Sequence, residues 1–234
     1  MKCLTNVSDA HDELQDSQAA LEDALSDLQD SLDEVTGDTD DDADISDDTA
    51  DDADSESFTK GSVSGNTYEN KYIGLGFEAP EGWTFFDDSQ LAELTGITTD
   101  MIDNESVNNA LENGIVVFDM YAMDATGTSV NIVIENLGAI YGTLLDENGY
   151  FDISESQLTD SLKAGGALSV ETDREDISFA GKDATALFVS ADMGGVTLYE
   201  ELVAVKCGKY MALICVAGTD SDYVLSIADS FYGI

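Results

Sequence analysis

The sequence predicts an α+β fold, in which an antiparallel sheet carries helices packed on its faces behind an acidic helix and a disordered linker. One observation is a series of four strand-like runs between residues 168 and 217, separated by glycine-containing turns. Another is that helical spacing occurs before, between and after the strands, not in alternation with them. This order is typical of hairpin-linked antiparallel sheets and not of βαβ units.

Charge divides the chain into an acidic arm and a globular domain. The 234 residues contain 50 acidic and 8 basic side chains, for a net charge of −42. Residues 1–57 hold 21 of the acids and one base, whereas apolar residues concentrate after that point. We predict an amphipathic or coiled-coil helix over 1–36, a disordered Asp-rich linker over 37–57 and one globular domain over 58–234. Such a charge repels phosphate backbones, so nucleic-acid binding is excluded.

Residues 11–35 have the heptad spacing of a coiled coil over about three and a half repeats. Acidic side chains occupy the outer positions, so two copies could self-associate without like charges facing each other across the seam. The alternative is a lone, marginal amphipathic helix, because like charges without lysine partners weaken a helix. The seam contains Leu14, Leu21, Leu25, Leu28, Leu32 and Val35, with His11 and Gln18 at its start.

The linker contains an aspartate pattern that resembles the beginning of a calcium-binding EF-hand loop. Asp38, Asp40 and Asp42 match early ligand positions, but Ala43 replaces the glycine of the sixth position and Thr49 the glutamate of the twelfth. We therefore predict diffuse cation association and no specific metal site. The scarcity of apolar residues predicts a disordered, self-repelling spacer.

Residues 66–88 contain the only proline and the only tryptophan of the chain, together with its densest aromatic cluster. The Ala79-Pro80-Glu81-Gly82 segment predicts a tight turn, since proline presets φ and glycine tolerates positive φ. We expect this turn to fold a strand around Trp83 back onto a strand over 72–77. Trp83 would then lie in the core.

The remaining elements follow from capping signals and periodicity. Asp88 predicts the start of a short helix, and Ser154 with Gln157 predicts a capping box for a helix that ends at Gly165. A helix from about residue 98 ends at Gly114, and a buried strand covers 115–123. A helix from about Ser221 should place Val224, Ile227, Ala228 and Phe231 on one face. Residues 137–149 fit a short helix or a loop.

The cysteines predict neither a disulfide framework nor a metal motif. A hairpin turning at Gly208-Lys209 pairs Cys207 with Tyr210 and Cys215 with Leu202, which separates the sulfurs by about 17 Å along the strands. That distance is too long for a disulfide. Cys207 beside Lys206 could be a low-pKa thiol, but core packing is the favoured interpretation.

The sequence contains no recognisable catalytic constellation in the globular domain. The only histidine, His11, lies in the arm, which excludes Ser-His-Asp, Cys-His and histidine-based metal sites from the domain. The pairs Asp87-Asp88 and Glu200-Glu201 would point to opposite faces of a strand. We predict no catalytic residue, no cofactor and no metal site. The ligand-cleft candidates, weighed against ordinary core packing, are Trp83, Tyr141 and Tyr150.

Three stretches of the domain, 58–97, 129–138 and 198–218, carry a family resemblance. They resemble uncharacterised extracytoplasmic lipoproteins of clostridia-type Gram-positive bacteria, and their pattern is similar to the PsbP-like sandwich. The resemblance implies a membrane-anchored domain outside the cell membrane, lipidated at Cys3. Only Met1 and Lys2 precede Cys3, so the chain as given lacks the apolar signal core of such lipoproteins and by itself predicts a cytosolic protein.

Three functions stay open at this point. The first is a non-enzymatic extracytoplasmic binding or assembly domain on an acidic stalk, with a protein or small molecule as its unknown partner. The second is a cytosolic scaffold or chaperone-like protein. The third is a histidine-independent hydrolase that uses carboxylates in a cleft.

Overall fold

The computed structural model describes residues 57–95 and 104–234. Within these ranges the chain forms eleven strands in two sheets and five helices. The predicted arm helix, the self-association segment 11–35, nearly all of the linker, and Cys3 lie outside the described residues. The strands are β1 (Ser62–Ser64), β2 (Thr67–Asn70), β3 (Leu75–Glu78), β4 (Thr84–Phe85), β5 (Val117–Met123), β6 (Ser129–Asn136), β7 (Ser169–Phe179), β8 (Lys182–Asp192), β9 (Thr197–Cys207), β10 (Tyr210–Gly218) and β11 (Phe231–Gly233). The helices are α1 (Asp88–Thr95), α2 (Asn104–Glu112), α3 (Gly138–Leu144), α4 (Glu147–Ala164) and α5 (Ser221–Ala228).

Both sheets are antiparallel. The large sheet has the order β4-β5-β6-β10-β9-β8-β7, and the small sheet has the order β1-β2-β3-β11. The α+β class is therefore confirmed. Strands β7 to β10 form consecutive hairpins, and their bounds lie within one residue of the strands predicted at 168–178, 183–191, 196–206 and 210–217. Alternating apolar residues and glycine turns specify these hairpins locally.

The large sheet is buried on both faces. In β10, Tyr210, Ala212 and Ile214 face the small sheet together with helices α2 and α5. The intervening Met211 and Leu213 face α4 on the opposite side. The predicted packing of helices on the sheet faces is confirmed, and the small sheet adds a further layer on one face.

The expected hairpin around Trp83 is wrong. The turn forms, with Gly82 at φ 91°, but the chain then passes from the small sheet to the large one, where β4 pairs with β5. The edges of β3 are occupied by β2 and β11, so no position beside β3 remains for β4. Residues 72–74, predicted as strand, belong to the turn over 71–74 between β2 and β3.

One predicted cap and one predicted helix start are also wrong, although α1 does begin at Asp88. Asp87, not Asp88, caps α1, since its Oδ1 accepts the Gln90 N–H at 2.9 Å. Asp146 caps α4, accepting the Gly149 N–H at 2.8 Å. Ser154 lies inside that helix, where its hydroxyl donates to the Tyr150 carbonyl at 2.9 Å. The capping-box signal was local, whereas the packing of Tyr150 and Phe151 into the core extends the helix about two turns earlier.

Phe231 belongs to β11 instead of the last helix. This three-residue strand pairs with β3 and completes the small sheet. Phe231 is nevertheless buried, as expected, and lies against Phe77 with ring centroids 4.8 Å apart. A strand so short has too few residues to show a period in the sequence.

Within the described ranges, no helix has the length and apolar composition needed to cross a membrane.

Candidate functional site

The ladder between β8 and β9 stops before the two strands end. Their pairing runs from Asp192–Thr197 to Ala186–Val203. Beyond that point β8 remains paired with β7 as far as Lys182, and β9 remains paired with β10 as far as Cys207. The large sheet therefore opens between two of its inner strands. We call this opening the β8–β9 cleft, bounded by residues 182–185 and 204–207.

The cleft opens because the tip of the β7–β8 hairpin packs against the small sheet. Phe179 lies against Phe231 of β11 with ring centroids 5.1 Å apart. The tight turn at Ala180 and Gly181 has φ values of 50° and 79°, as a two-residue type I′ hairpin turn requires. An apolar contact with the second layer has thus replaced the last hydrogen bonds to β9.

The β8–β9 cleft has a volume of about 690 Å³, which is within the usual range for ligand pockets. Its two sides differ in chemistry. The side next to α4 carries the carboxylates of Glu147, Asp176 and Asp183, and Thr185 donates to Asp176 there at 3.2 Å. The side next to the small sheet is apolar, and its residues are Ile73, Leu75, Ile177, Phe179, Ala184 and Val205.

The Glu147 side chain accepts one hydrogen bond from a part of β9 that does not pair with β8. The Lys206 backbone N–H donates to the Glu147 carboxylate at 3.1 Å, and the Lys206 ammonium donates to the Leu145 carbonyl. The Asp146 cap fixes the first turn of α4 and so places Glu147 at this position. A carboxylate oxygen thereby accepts from a strand donor that faces the cleft.

Cys207 lies at the end of the cleft and is a poor nucleophile. Burial raises the pKa of its thiol to about 11, an effect that nearby Lys182 only partly offsets. The alternative of a low-pKa thiol is therefore wrong, and the favoured interpretation, core packing, is confirmed. The predicted pairings of Cys207 with Tyr210 and of Cys215 with Leu202 are confirmed, and neither cysteine forms a disulfide.

Two adjacent carboxyl groups are buried in the middle of β9. Glu200 faces the α4 side and Glu201 faces the α5 side, and they are 2% and 4% exposed. Burial raises the pKa of each to about 7, and Asp229 also raises that of Glu201. Among the described residues, neither Glu200 oxygen has a hydrogen-bond partner. The prediction that the pair straddles the strand is confirmed, so the two groups cannot act together on one substrate.

A third buried acid, Asp119, joins the two sheets. It is the extra residue of a bulge in β5, a distortion that re-aims a side chain. Its carboxylate accepts from the Tyr68 hydroxyl, from Asn70 at 2.7 Å and from the Gly61 N–H at 2.9 Å. Burial raises the pKa of Asp119 despite these donors. With its acceptors satisfied, this group has a structural role.

The three aromatic candidates do not form one cleft. Trp83 packs beside Phe77 on the small-sheet face and donates to the Tyr223 hydroxyl at 3.1 Å. Tyr141 and Tyr150 lie on the opposite face of the large sheet. The Tyr150 hydroxyl is buried and donates to Glu135 at 2.9 Å. None of the three lines the β8–β9 cleft.

The residues that do line the β8–β9 cleft were not predicted from the sequence. Asp176 and Asp183 lie within predicted strands, and Glu147 lies in the segment 137–149, which fitted a short helix or a loop. The turn at Ala180-Gly181 was the only sequence signal for the cleft. It indicates a hairpin, but the direction in which the hairpin tip packs depends on contacts with residues distant in the sequence.

The acid pair Asp87-Asp88 also has a structural explanation. Asp87 caps α1, and Asp88 forms an ion pair with Lys60. Within residues 57–95 and 104–234, no cluster of three or more histidine, cysteine, aspartate or glutamate side chains could hold a metal ion.

No family model matches this sequence, and a search of curated proteins found no match either.

Proposed function

We propose that this chain is a non-enzymatic binding domain whose ligand occupies the β8–β9 cleft and carries positive charge. The observation that carries this function is the opening of a sheet between two inner strands, with three carboxylates on one wall. Inner strands of an ordinary sheet are paired along both edges, so an opened pair creates polar backbone edges that a ligand can satisfy.

Charge supports a cationic ligand. The three carboxylates of Glu147, Asp176 and Asp183 outnumber the two basic residues at the cleft, Lys182 and Lys206, and the whole chain has a net charge of −42. A field of this sign attracts cations and speeds their encounter with the site. The apolar wall opposite the acids can take the methylene groups of a long amine side chain.

The histidine-independent hydrolase is the less favoured function. Its best carboxyl pair would be Glu200 and Glu201, whose pKa values of about 7 suit general acid–base work. The two groups lie on opposite faces of β9 and are almost completely buried. A substrate could not reach both.

For the setting of the domain, we propose an extracytoplasmic, membrane-anchored protein with a PsbP-like sandwich fold. The support is the resemblance of 58–97, 129–138 and 198–218 to lipoproteins of that kind, together with an antiparallel sheet carrying helices on its faces. The cytosolic scaffold or chaperone-like protein is the alternative setting.

The binding function is tested by titrating the full-length chain with spermidine and following backbone amide resonances. We expect the amides of Thr185 and Lys206 to shift. The double variant Asp176→Asn, Asp183→Asn should bind about tenfold more weakly, because each partly exposed charge pair contributes about 0.2–1 kcal/mol.

The matched control is Asp173→Asn. Asp173 is an exposed acid on the same strand as Asp176, but it lines a separate groove of about 560 Å³ beside α5. This variant should bind within twofold of the parent protein. Shifts confined to residues outside the cleft, or equal weakening by the control, would refute the cleft as the binding site.

A further inference from the structure

The two free strand edges in the β8–β9 cleft can be assigned residue by residue. The N–H of Lys206 points into the cleft, because it meets the Glu147 carboxylate there. In an antiparallel strand the N–H and C=O of one residue point to the same side, and alternate residues repeat that direction. Ala204 therefore presents its backbone groups to the cleft as well.

The opposite edge follows from the register. Continuing the Ala186–Val203 pairing outward places Thr185 opposite Ala204 and Asp183 opposite Lys206. Their backbone groups point toward β9, because the groups of the intervening Ala184 pair with β7. Each edge thus offers two residues with strand hydrogen-bonding groups. The unpaired length of four residues on each strand corresponds to about 13 Å.

The side chains around the cleft follow the same period of two. Asp176, Asp183 and Glu147 lie on the α4 side, whereas Ile177, Phe179 and Val205 lie on the small-sheet side. A strand inserted between these edges would send alternate side chains to an acidic wall and to an apolar wall.

We propose that the ligand is an extended segment of a basic polypeptide, about four residues long, which adds a strand between β8 and β9. This inference rests on the proposed binding function. The segment alternates lysine or arginine with apolar residues, so that its cations meet the carboxylates and its apolar side chains meet Ile177 and Val205. Its backbone replaces Glu147 as the acceptor for the Lys206 N–H. Strand addition of this kind takes affinity from main-chain hydrogen bonds and specificity from alternate side chains.

The test compares two peptides of identical composition and charge with the full-length chain. Ac-Lys-Val-Lys-Val-NH₂ keeps the alternation, whereas Ac-Lys-Lys-Val-Val-NH₂ loses it. We expect the alternating peptide to bind at least tenfold more tightly and to slow hydrogen exchange at Ala204 and Thr185. Methylation of its two central backbone nitrogens should weaken binding at least tenfold, since both lost donors face a strand edge.

The outcomes separate this inference from the binding function on which it rests. One outcome is that both peptides and spermidine bind in the cleft with similar affinity, with no effect of N-methylation. In that case the inferred strand addition is wrong, whereas the proposed binding of a cationic ligand in the cleft is retained. If no probe shifts cleft resonances, both are wrong. If the unliganded protein sediments as a dimer whose dissociation exposes Ala204 and Thr185 to exchange, the occupant is a second copy and the inference is overturned.

Discussion

Glu200 lies in the middle of β9, with both carboxyl oxygens buried and no hydrogen-bond partner among the described residues. Its pKa of about 7 in the folded protein is above the value of 4.5 expected for an exposed glutamate. Below pH 4.5 the group is protonated in both the folded and the unfolded chain, and its neutral form fits the core. As pH rises from 4.5 toward 7, the unfolded chain loses the proton more easily, so folding stability falls.

Glu200→Gln should therefore raise the free energy of unfolding at pH 8 by about 3 kcal/mol, since each pKa unit corresponds to about 1.4 kcal/mol. At pH 4.5 the gain should nearly vanish, because the native side chain is then neutral too. Urea unfolding at the two pH values measures the difference. Glu171→Gln, an exposed change on β7, should show no such pH dependence. A Glu200→Gln gain that is the same at both pH values would contradict the buried-acid explanation.

The same residues mark a limit of sequence reasoning. The period of two correctly placed Glu200 and Glu201 on opposite faces of a strand. It could not show that both faces were covered, because that depends on α4 and α5 packing over the sheet from distant parts of the chain. Capping failed for a related reason: Asp87 and Asp88 are equally good caps by type, and geometry alone selects Asp87.

At the scale of elements, β11 contacts the β7–β8 hairpin and so helps to keep the β8–β9 cleft open. Phe231 contacts Phe77 of β3 and Phe179 of the β7–β8 hairpin at the same time. The second contact draws the hairpin tip away from β9. A three-residue strand at the end of the described chain thus helps to determine whether two inner strands of the other sheet can pair.

Phe231→Ala should cost about 3–5 kcal/mol of folding free energy, the usual range for removing a buried aromatic ring. The loss should be accompanied by faster hydrogen exchange at Phe179 and Lys182, measured in the native state. Phe231→Leu keeps most of the apolar volume and should cost less while preserving the exchange pattern. Unchanged exchange at the hairpin tip in the alanine variant would show that Phe231 does not hold the tip.

The hairpins of β7 to β10 were predictable from the sequence, because glycine turns and alternation specify them within about ten residues. The crossing of the chain between β3 and β4 was not. Trp83 follows a clear turn, but its strand pairs with β5, more than thirty residues away in the chain. The β8–β9 cleft belongs to the same class of features, since its cause is the contact between Phe179 and Phe231.

At the scale of the whole molecule, the proposed extracytoplasmic, membrane-anchored location implies that Cys3 carries a lipid. Mass spectrometry of the mature protein from its native host should find a lipid-modified cysteine at position 3, in the membrane fraction. Cys3→Ser should move the protein out of that fraction, while Cys207→Ser, in the folded domain, should leave its distribution unchanged. An unmodified Cys3 in a protein recovered wholly from the cytosol would support the scaffold alternative.

An opened sheet has a cost for solubility. Exposed strand edges are templates for pairing with another molecule, and natural proteins protect them with charged side chains. Here Asp176 and Asp183 stand beside the edges, on a chain whose isoelectric point is about 4.1. Near that pH the electrostatic repulsion between protein molecules disappears, while the unpaired strand edges remain exposed. Acidification should therefore promote aggregation through the β8–β9 cleft.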